Sequence, residues 1–491
     1  MQVLRVRWEG ALVLLAHAFG KRYELPIPLV YFVLGAALVV FLSFLVVLPR
    51  RMAGGPVESG EERGAPLQRG WAAPGIGVAG LGGLIAVGIG GSQTVAENIL
   101  PTVFWLVVWI AVPLGCGLLG DWTRPLNPFA ALARLGDRPA ARRLLFGSAR
   151  PVSWPARLGW WPATLAFFAT ACGELVFNQT ATLPRVTAWG LLGWAALSLV
   201  AGLFFGAPAW LARGELFSVL FATWGRLGWF RFGAAGRRGL AGGLEDGFEA
   251  VPSRMAFVML LLVSVSFDGL LATPLWSRVR LDWMRAATAP ATAVEWETVA
   301  AFALLGLLTW CVLGAFAQAV ARLGGHDVRP AAALHGLLPS LLPIAFGYLL
   351  AHNLQYLLIN GQLLVPLLGN PSGLDGGQWL PAPFDDSFEP DTHLLPSSAF
   401  WYGSVAVIVV VHMAAVVIAH GHLVRRGRDE RAAKASEWPW IAAMVAYTMV
   451  SLVLMAQPLV KEGPAPSKQS AATGVGGRSS QVTAGPGAVA R

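Results

Sequence analysis

The apolar runs in this chain recur at a length and spacing that leave few folds open. Stretches such as 26–48, 99–119, 186–205 and 400–422 are nearly free of charge. A helix needs about 20 such residues to cross a hydrocarbon layer of about 30 Å. Within lipid every backbone N–H and C=O must be satisfied inside the spanning structure, and continuous rather than alternating apolar runs satisfy it as helices. Composition agrees, with 55% hydrophobic and only 13% charged residues. The net charge of +9 would suit a nucleic-acid partner, but the basic residues cluster in alternate loops, as the positive-inside rule expects. The expected partner is therefore the lipid bilayer, with no nucleic acid.

Residues 1–18 carry the parts of a cleaved secretory signal: Arg5 and Arg7, an apolar core and Ala16-His17-Ala18. The core is short, and Glu9 interrupts the pattern. Ten spans are expected in the transmembrane region, residues 19–460. They are Pro26–Leu48, 71–91, Ile99–Leu119, Trp160–Phe177, Val186–Phe205, Arg254–Leu275, Val299–Ala321, a long run from Ala332, Phe400–His422 and Trp438–Val460. Pro339, Pro343 and Pro366 are expected to break the long run, leaving a short re-entrant or interfacial piece after Asn360. A surface helix is expected over Trp210–Phe232. Loops rich in arginine (124–157, 207–253, 425–434) are placed inside, and loop 369–398, with five acidic and no basic residues, outside. The fold class is an all-α polytopic bundle with both termini outside. Its Gly/Ala/Ser/Pro-rich tail, 461–491, is expected to be disordered.

Polar residues at membrane depth are costly and often mark function. The segment Leu349–Gln362 holds His352, Asn353, Gln355, Tyr356 and Gln362, and Tyr348, His352, Gln355 and Tyr356 share one helical face. Asp268, Glu174 and His412 lie on other spans, in the outer half or near the midplane. The expectation is an outward-open pocket in which His352 and His412 bind a divalent transition metal. Asp268 serves as ligand or base, Glu174 is a weaker proton-transfer residue, and Asn353 and Gln355 orient a small apolar substrate. The plain alternatives are an imidazole satisfied by an interhelical hydrogen bond, an Asp268 that merely neutralises one, and a Glu174 that snorkels to the interface. His420 could face the same interior two turns from His412. Cys116, Cys172 and Cys311 read as small buried hydrophobes.

Several segments, spread along nearly the whole chain, resemble the bacterial multi-pass membrane proteins called fenitrothion hydrolases. They are AHAFGKRYELPIP (16–28), ENILPTVFWLVVWI (97–110) with RPLNPFAAL (124–132), AHNLQYLLINGQ (351–362) with LLGNPSG (367–373), and WYGSVAVIVVVHMAAVVIAHGHL (401–423). The resemblance maps the family's histidines onto His17, His352, His412 and His420. It implies a metal-dependent hydrolase of organophosphate triesters in the bacterial inner membrane, with His17 as a third metal ligand. Two other readings use the same histidines: a metal-handling or transport protein, and a haem-binding electron carrier with His352 and His412 as axial ligands.

Overall fold

The computed structural model describes residues 23–47, 72–232, 239, 241–244, 248–286, 291–325, 330–426 and 430–461. His17 with the expected signal at 1–18, His326 and the tail from 462 onward lie outside these residues. The regular structure of the described chain is helical apart from one two-residue parallel bridge, in which Tyr23 pairs with Val460 and Glu24 with Lys461.

The helices that position the site are α1 (Leu29–Val47), α2 (Ala72–Gly90), α3 (Ile99–Leu119), α4 (Pro128–Gly136), α5 (Trp161–Leu175), α6 (Pro184–Phe205), α7 (Leu216–Trp224) and α8 (Pro252–Leu271). They are followed by α9 (Ala291–Leu323), α10 (Pro330–Asn360), α11 (Ser397–Arg426) and α12 (Glu430–Leu459). Among the described residues, eight helices are long and apolar enough to cross a membrane: α2, α3, α6, α8, α9, α10, α11 and α12. Two of the expected spans fall short of that standard. The apolar part of α1 is Leu29–Leu45, and α5 has 15 residues, about 22 Å of helix.

Helix α10 lies at the centre and packs against α8, α9, α11 and α12. It stays helical through Pro339 and Pro343, where a break was expected. A proline removes one backbone donor, and close neighbours make that loss tolerable in a spanning helix. Here every described residue from Gly336 to Phe346 is buried. The chain does change direction after Asn360, through a 3-10 turn at Gly361–Leu363 into the short helix Leu364–Gly369. Helix α3 is irregular as well: Thr102–Ala111 is a ten-residue π-helical stretch. Such segments are usually single turns and are frequent at functional sites.

The expected surface helix over Trp210–Phe232 is corrected. That sequence forms Ala207–Arg213 and α7, split at Gly214 and Glu215, and Trp210, Leu216, Phe217, Leu220 and Trp224 are buried. The mixed aromatic and basic composition looks interfacial, but the aromatic side packs on α3 and α5. Glu215 makes this possible. Fully buried, it accepts from the N–H groups of Phe217 and Ser218, from Trp194 Nε1 and from Asn127 Nδ2. Four donors offset the cost of removing a carboxylate from water.

Candidate functional site

Two of the sequence-predicted residues meet directly. His352 Nε2 on α10 lies 2.6 Å from Asp268 Oδ2 on α8. The imidazole is nearly buried, at 9% exposure, whereas the carboxylate is 38% exposed. Asp268 stands three residues before the end of α8 and His352 eight before the end of α10, within the last turns at the end of the bundle that carries the acidic loop. Asp268 is thus shallower than the sequence implied, because α8 stops at Leu271 rather than continuing to Leu275.

The carboxylate opens into a small cleft whose polar lining comes from Glu174, Asp268, Asn353, Ser264 and the indoles of Trp109 and Trp224. Glu174 occupies the last turn of α5 and does not snorkel away from the bundle: its Oε2 accepts from Trp109 Nε1 at 2.6 Å. Trp109 belongs to the π-helical stretch of α3 and stacks on Phe167 at 5.3 Å between ring centroids. Asn353 Nδ2 donates to Leu349 O, which leaves one amide N–H and the amide carbonyl toward the cleft. Gln355 is buried and does not line the cleft, so the substrate-orienting role expected for it lacks the position it requires. On α10 the cleft is faced by Leu349 and Asn353, one residue round from Tyr348 and His352, whose face turns into the helix bundle.

His412 is completely buried on α11, its Nδ1 2.7 Å from Ile408 O of its own helix and its ring beside Tyr447. Its remaining nitrogen, Nε2, and His352 Nδ1 have no hydrogen-bond partner among the described residues. Among those residues no three of His, Cys, Asp and Glu stand together as a metal-binding group.

Around the cleft, the segments that carry the resemblance pack on one another. Asn98 is fully buried, caps the start of α3 by accepting from Leu100 N–H, and donates to Val87 O and Ser92 O. Ser92 N–H and Ile99 N–H donate to Ser372 O and Pro371 O, so the 91–99 connection and the GNPSG loop are held together. At the opposite, arginine-rich end Asn127 caps α4 and reaches Glu215. Asn98 and Asn127 are thereby accounted for as structural.

Nothing in the sequence marks out Trp109, which reads there as one more aromatic in a span, or Glu437. The latter borders an arginine-rich loop, yet it is 1% exposed and bonds His420 Nδ1 at 2.9 Å. The chain matches no protein-family model, no curated protein and no solved structure.

Proposed function

We propose that the protein is a bacterial inner-membrane hydrolase of small apolar triesters of the organophosphate class, with ten spans and both ends on the outer face. The observation that carries the reading is Asp268, held from behind by His352, on the wall of a cleft that also holds a second carboxyl, Glu174. A lipid-soluble triester would reach this cleft from the outer leaflet. His352, in the tautomer protonated at Nε2, holds Asp268 Oδ2 and leaves Oδ1 to accept a proton from water.

As that proton moves to Asp268, the water oxygen bonds to phosphorus and the bond from phosphorus to the aryl oxygen breaks. The free N–H of Asn353 donates to the phosphoryl oxygen, and Glu174, protonated at the start and fixed by Trp109, gives its proton to the departing phenolate. Asp268 then releases the proton it took up and Glu174 regains one. The products are a phosphodiester and a phenol. Every step of this route is carried by side chains of the protein itself.

The test is release of nitrophenol from an aryl phosphotriester by the purified full-length protein. Asp268→Asn should lower the rate by about 10²–10⁴, the usual worth of a positioned base. His352→Gln should lower it while shifting the pH profile, because that imidazole orients the carboxylate. Wild-type protein that releases no nitrophenol above buffer, or Asp268→Asn with an undiminished rate, would rule the reading out. Transport is the second reading, favoured by the turn after Asn360 that places irregular backbone beside the cleft.

A further inference from the structure

A second buried pair lies at the other end of the same helices. His420 of α11 and Glu437 of α12 are 2% and 1% exposed and 2.9 Å apart. The hydrolytic site does not use them. An imidazole and a carboxyl together hold one proton without net charge, so such a pair is a stable place for a proton inside a bundle. Asp268–His352 is the same chemical unit at the cleft end.

Between the two pairs runs a column of buried polar groups on α8, α10, α11 and α12. Next to Asp268, Tyr348 Oη donates to Ser451 O at 3.0 Å. One turn deeper on α12, Tyr447 Oη lies 2.5 Å from Ser266 Oγ, and the His412 ring stands beside it. Deeper still, Trp440 Nε1 donates to Ser340 Oγ at 3.3 Å. His420 follows His412 by about 12 Å along α11. Four atoms on this column are buried without a hydrogen-bond partner among the described residues: His352 Nδ1, Ser451 Oγ, His412 Nε2 and Glu437 Oε2. Orphaned polar atoms in a core require an explanation, and water is the ordinary one where several lie within reach of one chain.

We propose that this column conducts protons between the cleft and the arginine-rich end of the bundle, with His420–Glu437 as its terminal proton-binding site. Each transfer moves a proton alone from one lone pair to the next, through the orphaned atoms and the waters that join them. The apolar turns between His412 and His420, with Ala415, Val416 and Ala419 buried, set the resistance of the route. Other ionisable groups stand around the terminal pair. On α10 there is His335, bonded to Phe248 O, and on α11 His422, against Gly336. Arg254 of α8 lies over Trp160, Arg322 ends α9, and Lys434 precedes Glu437 by one turn. At the cleft end Glu174, Tyr348 and Tyr356 surround Asp268 and His352.

The experiment uses the full-length protein in liposomes containing a pH-sensitive dye, with potassium and valinomycin clamping the membrane potential and no ester present. After an external acid pulse, the lumen should acidify faster than in protein-free liposomes. Glu437→Gln and His420→Gln should each return the rate to that of the protein-free vesicles while eluting as the wild type does. Nitrophenol release by both variants should stay unchanged, since the cleft is distant and shares no partner with them. Acidification equal to that of protein-free liposomes for the wild type, or full acidification by both variants, would overturn the proposal. Because no ester is present, failure of the hydrolytic reading leaves this result intact.

Discussion

Trp109 shows how much one side chain decides here. Its indole N–H is the bond that turns Glu174 inward, and its ring is held by Phe167. Trp109→Phe keeps the stacking and removes only the donor. A hydrogen bond to a neutral carboxyl contributes about 0.5–1.5 kcal/mol, so nitrophenol release should fall by roughly 2–10-fold with little change in thermal stability. In the acidic loop, the Ser387 hydroxyl and then its N–H donate to Asp385, holding that carboxyl below its ordinary value. A depressed carboxyl stabilises the loop above its unfolded value and loses that contribution as pH falls through the folded one. Ser387→Ala should therefore raise the Asp385 titration midpoint, read by NMR.

At the level of elements, the cap residues fix where helices begin. Asn127 accepts from Phe129 N–H and Ala130 N–H and also supplies one of the four donors to Glu215. Asn127→Ala should cost about 1 kcal/mol for the cap and about 1–3 kcal/mol for the donor Glu215 loses. A lowered unfolding temperature in detergent would show it. The element boundaries were largely legible in the sequence, because apolar runs and prolines mark them. The fate of Trp210–Phe232 was not: amphipathic composition cannot distinguish a helix lying on lipid from one lying on another helix. The course of α10 through two prolines was equally hidden, since only its packing partners make those prolines tolerable.

For the molecule as a whole, the ten-span proposal predicts opposite sides for two loops. A cysteine in 50–70 should be protected from a membrane-impermeant maleimide in intact cells, and one in 375–391 should react. Labelling of both, or of neither, would refute that topology. The metal-free route makes a second prediction at this scale: nitrophenol release should persist in a chelator such as EDTA. Loss of activity restored by one added metal would return the site to a metal-dependent mechanism involving donors beyond the described residues.

The sequence alone determined that the chain buries long helices in a membrane, because hydropathy and charge placement are local properties that lipid reads segment by segment. It also singled out Asp268, Glu174, His352 and Asn353, since ionisable and amide groups at such depth are conspicuous against their neighbours. Which of them share a cleft was decided by the rotation of each helix and the residue at which it stops. Those depend on interhelical packing, which joins Asp268 to His352, gives Glu174 to Trp109 and leaves Gln355 away from the cleft. His420 and Glu437 meet for the same reason: 17 residues apart in sequence, they become neighbours only when α12 folds back along α11.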